Sequence, residues 1–207
     1  NGAIMDTQKT ILIGILVGAI VGAGASVAIQ NIGITDEDRI RDFYLSETAV
    51  IVSPHGLRKK MDRGDSDFLL VDVRSQEEYE EEHIVGAVNV PAYSDRFTSA
   101  YGEVDRIVNS FRELIETNPE KDIIVYCYSI PCMTGRKVGK MLAGNDMYVK
   151  ELGIGWNEWR YFWTLWNHPH EWDITSPEEY VVSGTEPGIP TIRTDSTACP
   201  IEGEFGC

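Results

Sequence analysis

Two continuous apolar runs, Phe68-Leu-Leu-Val-Asp-Val73 and Ile123-Ile-Val-Tyr-Cys127, constrain this chain more than any other feature. Short runs rich in β-branched residues, with no polar position in alternation, read as strands buried on both faces. Between them, Val104, Ile107, Val108, Phe111, Leu114 and Ile115 recur at helical spacing within 101–118. Strands that alternate with helices imply a parallel sheet with helices on both faces. Ligands of such sheets bind at the carboxyl ends of the strands, which is where Cys127 falls.

The remaining pattern fits the same plan. Thr35-Asp-Glu-Asp38 starts a short amphipathic helix through about Tyr44, with its acids in the first turn. A second helix is expected near Pro54 to Met61. Ser75 to Glu82 reads as a helix with Ser75 as N-cap and Glu78 three residues on. Ala87-Val-Asn-Val90 is a short strand ended by Pro91, Thr134 to Leu142 a helix, and Tyr148 to Leu152 a strand. Trp156, Trp159, Trp163 and Trp166 form a stripe within 155–167, read first as a core face and second as a partner or membrane contact. After Trp172 the chain is rich in Pro, Gly, Ser and Thr and lacks periodicity, which predicts an irregular extension.

A ten-residue segment joins Cys127 to Arg136: Cys127-Tyr128-Ser129-Ile130-Pro131-Cys132-Met133-Thr134-Gly135-Arg136. A thiol at a strand end, facing a helix start across a loop, sits where peptide N–H groups favour negative charge. Such a site stabilises the nucleophilic thiolate. The competing reading is a buried, inert cysteine.

The formal net charge of -15 argues against a nucleic-acid partner, which calls for a basic face. Residues Ile11 to Ile29 carry no charge over 19 positions, enough to cross a bilayer. Ala23-Gly24-Ala25 and Ser26-Val27-Ala28 resemble cleavage sites of a signal peptide, the competing reading. Read as an anchor, the segment places Gly14, Gly18 and Gly22 on one face, suited to packing against a second copy or another membrane subunit. Lys9 before it and a large domain after it suggest a single-pass protein whose domain lies outside the cytoplasm, in a periplasm or at a cell surface. Four cysteines in two close pairs, Cys127/Cys132 and Cys199/Cys207, suit disulfides in an oxidising compartment. The expected organisation is a tail (1–10), a transmembrane helix (11–29), a linker helix (30–50), an α/β domain (51–170) and an irregular extension (171–207).

Asp72-Val-Arg74, Glu78-Tyr79 and His83-Ile84-Val-Gly86-Ala87-Val-Asn89-Val90-Pro91 resemble the rhodanese-like family. Val125-Tyr126-Cys127 resembles the strand that leads into that family's catalytic cysteine, and Leu152 to Trp159 its closing segment. Glu82 and Ile154 stand where the family usually has glycine. The resemblance covers roughly residues 50–166 and implies a rhodanese-like α/β domain, a central parallel sheet flanked by helices, here preceded by one N-terminal transmembrane helix.

The resemblance also implies that Cys127 takes sulfur from a sulfane donor as a persulfide and passes it to a thiol acceptor. Tyr128, Ser129, Ile130, Met133, Thr134 and Gly135 would form the cradle, and Arg136 would hold an anionic donor such as thiosulfate or polysulfide. No cofactor and no metal are expected. The loop departs from the family, since eight residues separate Cys127 from Arg136 where four or five are usual. Cys132 lies inside it, as a resolving, a structural or an incidental thiol.

Three functions remain open at this stage. The chain is a membrane-anchored sulfurtransferase, a thiol-disulfide module in which Cys127 and Cys132 cycle, or a non-catalytic rhodanese-fold subunit of a membrane complex. A phosphatase or arsenate-reductase activity fits the loop spacing less well. Asp72 and Arg74 read as a structural ion pair supporting the loop, and His83 as a residue that orients a turn. His168 and His170, flanking Pro169, form too small a set for a metal.

Overall fold

The computed structural model describes residues 34–193. The expected transmembrane helix, its Gly14, Gly18 and Gly22 face, and the Cys199–Cys207 pair lie outside them. Among the described residues, no helix is long and apolar enough to cross a membrane. The chain divides into two units, which meet between Ser46 and Glu47.

Helix α1 (Asp36–Val50) runs from the first unit into the second. It extends six residues past its expected end and buries no side chain, so it is not the short amphipathic helix expected. Ile40, Phe43, Tyr44 and Leu45 are exposed along it. Ion pairs of Arg39 with Asp36 and Arg41 with Asp38 line its first turns.

The second unit continues with β1 (Ile51–Val52), α2 (Pro54–Arg63), β2 (Phe68–Asp72), α3 (Gln76–Glu81), β3 (His83–Ile84) and β4 (Ala87–Asn89). A small hairpin, β5 (Tyr93–Asp95) and β6 (Thr98–Ser99), leads to α4 (Val104–Thr117), β7 (Asp122–Tyr126), α5 (Thr134–Ala143) and β8 (Lys150–Leu152). Two short helices, α6 (Trp156–Tyr161) and α7 (Trp163–Trp166), are followed by two 3₁₀ turns (Pro169–Glu171 and Pro177–Tyr180) and β9 (Val181–Val182). Ser75 caps α3 as its sequence predicts, and its hydroxyl accepts from Glu78 N at 3.4 Å.

Five strands form the central sheet in the order β1-β8-β7-β2-β4, all parallel. The inner strands alternate between two apolar layers. Leu70, Ile124 and Tyr126 point to one layer, with Leu57, Met61, Trp159 and Trp163. Val71, Ile123 and Val125 point to the other, with Ile107, Phe111, Val138 and Leu142. This alternation is the period of a strand, and both faces are apolar because helices cover both. Trp156, Trp159 and Trp163 are buried, so most of the tryptophan stripe belongs to the core. The stripe is broken at Phe162, where α6 gives way to α7.

The segment after 170 is not the loose extension expected. Strand β9 pairs antiparallel with β3, and Tyr180 stacks on Trp163 inside the core. Glu171 is 1% exposed and receives Arg58 Nη2 at 2.6 Å, Lys59 Nζ at 2.8 Å and His55 Nε2 at 3.0 Å. Tyr180 donates its hydroxyl to Asp62 at 2.6 Å. A carboxylate buried between two cations and a histidine is satisfied only if this segment folds onto α2, which is why it is part of the domain.

Candidate active site

The parallel strands all end at one edge of the sheet, and the loops leaving β2, β7 and β8 meet there. The β7 loop, 127–133, is held from two sides. At the α6 end, Trp156 N donates to Cys127 O and Asn157 N to Tyr128 O, each at 2.8 Å. The Glu158 carboxylate accepts from Gly155 N at 3.0 Å and from Ile130 N at 3.2 Å. A Cβ on Gly155 would lie 2.2 Å from Ser129 N, so only glycine allows the loop to pack this closely.

From the β2 side, Asp72 and Arg74 form a buried pair at 2.7 Å. Tyr126 donates its hydroxyl to Asp72 at 2.7 Å, and the Arg74 guanidinium lies 4.3 Å from the centre of the Trp156 ring. The Tyr128 hydroxyl donates to Glu78. Asp72 and Arg74 are thus an ion pair joined to the loop's neighbours Tyr126 and Trp156. His83 is buried, stacks on Tyr79 and bonds the carbonyls of Tyr79 and Glu186 at 2.7 and 3.2 Å. It orients the β3 turn and stands away from the cysteines.

Within the loop, Cys132 N donates to Ser129 O at 2.9 Å, which folds Cys132 back toward the strand end. The result is a close thiol pair: Cys127 Sγ and Cys132 Sγ are 2.7 Å apart, and both are free thiols. Cys127 is 5% exposed and packs in the core, whereas Cys132 is half-buried. Thr134, the first residue of α5, places its hydroxyl 3.4 Å from Cys132 Sγ. Tyr93 and Tyr101 bring their hydroxyls to the same Thr134 oxygen at 3.0 and 2.6 Å. With both phenols donating to it, Thr134 can turn its own proton to the sulfur.

This arrangement divides one proton between two sulfurs. The hydrogen bond from Cys127 is the main reason the Cys132 thiol titrates low, down to about 5 against the opposition of burial. The hydroxyl and N–H of Thr134 and the N–H of Tyr128 add to it. Cys127 is pushed far up, first by that same hydrogen bond, then by burial and by the charge on Cys132. The sequence places the anion-friendly environment at Cys127, and in the structure Cys132 is the cysteine whose sulfur lies beside the Thr134 hydroxyl. The physical reason is the length of the loop, which delivers the second cysteine, not the first, to the start of α5.

The expected cradle is only partly assembled. Tyr128 and Thr134 direct N–H groups at the cysteines, but Ile130 N is turned to Glu158. Gly135 faces Glu151, whose carboxylate would meet a Cβ there at 2.9 Å. Met133 is exposed ahead of α5. Arg136 lines the cavity and is also engaged with the loop. Its Nη1 donates to Ile130 O at 3.2 Å and Cys132 O at 3.4 Å, while its Nε lies 3.7 Å from Glu151. It braces the loop from outside. Cys127, Ser129, Ile130, Arg136, Glu151 and Ile154 line a cavity of about 180 Å³. Burial raises the pKa of Glu151 against the pull of Arg136, and the Cys132 charge adds to that rise.

Sequence reasoning missed Glu158, Tyr93 and Tyr101. Glu158 carried a readable signal, since an acid three residues after Gly155 matches a helix N-terminal cap. The tyrosines reach Thr134 across 41 and 33 residues, which no local pattern encodes. His168 stacks edge-on against His55, but among the described residues no group of three or more potential ligands could hold a metal.

The profile of the rhodanese-like domain matches residues 53–161. The chain belongs to the rhodanese-like domain family. A curated relative is the HTH-type transcriptional regulator Rv0324 of Mycobacterium tuberculosis, 26% identical over 144 residues. The match takes in 67% of this chain and 57% of that protein, so the chain spans little more than half of its relative. The BH2092 protein of Bacillus halodurans is similar in structure, with TM-score 0.48, 25% identity, and coverage of 60% of this chain and 81% of that one. Ygr203w of Saccharomyces cerevisiae, described as a homolog of single-domain rhodanese and the Cdc25 phosphatase catalytic domain, aligns with TM-score 0.42 and 16% identity, over 61% and 93%.

Proposed function

We propose that this rhodanese-like domain is a sulfurtransferase that takes sulfane sulfur onto its two-cysteine loop and hands it to a thiol. The observation that carries the reading is the Cys127–Cys132 pair, two free thiols whose sulfurs lie 2.7 Å apart at the start of α5. The persulfide expected on Cys127 is therefore assigned to Cys132, the more exposed sulfur and the anionic one. Cys127 donates the hydrogen bond that keeps Cys132 ionised, and thiolate is the reactive form.

The chemistry balances without a cofactor. The Cys132 thiolate attacks the outer sulfur of a donor such as thiosulfate, a new S–S bond forms, and sulfite leaves with the electron pair of the broken bond. An acceptor thiolate then attacks the outer sulfur of the persulfide. A new persulfide leaves on the acceptor and the Cys132 thiolate returns. Because Arg136 also holds a loop carbonyl and lies near Glu151, which lines the same cavity, the site suits donors of low charge better than a dianion. Polysulfides and organic persulfides fit that description.

The uncharged stretch 11–29 supports placing this domain on a bilayer through a single helix, packed by Gly14, Gly18 and Gly22 against a second copy or another subunit. An extracytoplasmic domain would meet its donors outside the cell or in a periplasm.

Turnover is tested by supplying a sulfane donor and cyanide and following thiocyanate. Wild-type protein kept reduced by a dithiol is expected to turn over, and Cys132→Ser to lose the activity by at least about 10²-fold. Turnover that survives Cys132→Ser would remove Cys132 from the role assigned to it. A second reading, thiol-disulfide exchange, draws on the same 2.7 Å approach of the sulfurs. It predicts that the isolated protein reduces disulfides in the absence of any sulfane donor.

A further inference from the structure

We propose that Cys127 resolves the persulfide formed on Cys132, so that this one loop can release sulfide and close a Cys127–Cys132 disulfide. The inference rests on the sulfur-transfer reading and goes past it, because the sulfur then leaves as free sulfide and not on an acceptor.

The geometry requires little motion. The two sulfurs are 2.7 Å apart, and a disulfide bond is about 2.05 Å long. Cys132 is folded onto Cys127 by the turn between Cys132 N and Ser129 O. Cys127 is fixed at the end of β7, with its carbonyl held by Trp156 N. A buried thiol held this close to the attacked atom has the advantage of an intramolecular reactant over any thiol arriving from solvent. Cys127 is 5% exposed and lines the loop cavity, whereas Cys132 is half-buried, so a donor in bulk solvent meets more of Cys132. The pair thus has an exposed sulfur for loading and a buried one for release.

The step is balanced. Cys127 Sγ attacks Cys132 Sγ, the inner sulfur of the persulfide. The bond from Cys132 Sγ to the outer sulfur breaks, and the outer sulfur departs with the electron pair. It takes up the proton that Cys127 loses and leaves as hydrosulfide. The two cysteines are oxidised to a disulfide, and the sulfane sulfur is reduced to sulfide. Returning the loop to the paired thiols requires a dithiol reductant, so without one each chain releases a single sulfide. Loading moves the negative charge from Cys132 Sγ to the outer sulfur. This takes the charge off the atom that Cys127 must attack.

The test loads the full chain with a stoichiometric amount of inorganic polysulfide, without added thiol, and follows intact mass together with the sulfide released beyond that left by the donor in the loading step, the quantity meant by sulfide release below. Wild-type protein is expected to release about one sulfide per chain and to lose two hydrogens, with Cys127 and Cys132 linked. Cys127→Ser and Cys127→Ala are expected to keep the added sulfur on Cys132, to release no sulfide, and to yield thiocyanate when cyanide is added. A dithiol should restore repeated sulfide release to wild-type protein and leave both variants without the disulfide product. Wild-type protein that keeps its added sulfur and forms no disulfide would overturn the inference while leaving sulfur transfer standing. Equal sulfide release from Cys127→Ala would do the same. Failure of wild type and both variants to acquire sulfur would overturn the sulfur-transfer reading itself, and this inference with it.

Discussion

Gly155 lies flat against the backbone of Ser129, so closely that a Cβ on it would stand 2.2 Å from the Ser129 nitrogen. The contact ties the start of α6 to the loop that carries both cysteines. Two further backbone bonds and the Glu158 carboxylate reinforce it. Loop and helix therefore behave as one rigid piece.

Gly155→Ala should consequently push the loop off α6. We expect a loss of about 1–3 kcal/mol in denaturant unfolding, as for other overpacked sites. Sulfur transfer should fall by more than stability does, up to about 10²-fold, because the thiols lose their relative placement. A variant with wild-type transfer rates would show that the close contact does not position the cysteines.

The division of charge between the two sulfurs gives a pH prediction. A thiol whose pKa is depressed is ionised above that pKa. Alkylation of Cys132 should therefore rise through about pH 5 and be flat near neutrality. In Cys127→Ala the donated hydrogen bond is lost, so the rise should move up toward the ordinary thiol range near 8.5. Peptide-resolved labelling with iodoacetamide across pH measures both. An unmoved Cys132 profile in Cys127→Ala would mean that the pair does not share its proton.

Much of this fold was legible in the sequence because it is carried by local periodicity. The runs at 68–73 and 123–127 became neighbouring central strands, and Ser75 with Glu78 marked the start of α3. What escaped was what depends on distant contacts. Glu171 and Tyr180 look like parts of a polar tail, and only their meeting with Arg58 and Asp62, over one hundred residues earlier, makes them core. Strand β9 is two residues long and carries no period of its own. The site was half legible for a similar reason. Cys127 at a strand end could be read directly, while the exchange of charge with Cys132 follows from how the loop turns at Ser129.

The buried charge cluster predicts acid sensitivity. Burial works to raise the pKa of Glu171, but hydrogen bonds from Lys59 and Arg58 and the charges of Arg58 and His55 outweigh it and bring it from 4.5 to about 2. A folded pKa below the unfolded one gives stability that is present above about pH 4.5 and is lost as pH falls toward 2. Glu171→Gln should remove it at neutral pH and flatten the acid limb of the unfolding curve. An unchanged limb would mean that the C-terminal segment is not fastened through this carboxylate.

Arg136 separates two roles by kinetics. Its bonds to Ile130 O and Cys132 O make it a positioning residue. Arg136→Gln should lower kcat by about tenfold for both thiosulfate and an uncharged organic trisulfide, with similar KM values. A rise in KM confined to thiosulfate would instead assign Arg136 to anion binding.

The central claim is that this loop receives sulfane sulfur, and that Cys132 is where it arrives. Incubating the Cys127→Ala protein with inorganic polysulfide, blocking with an alkylating agent and sequencing the peptide that contains residues 127–136 by mass spectrometry reads this directly. One added sulfur on Cys132 is expected. A peptide alkylated at Cys132 with no added sulfur would contradict it.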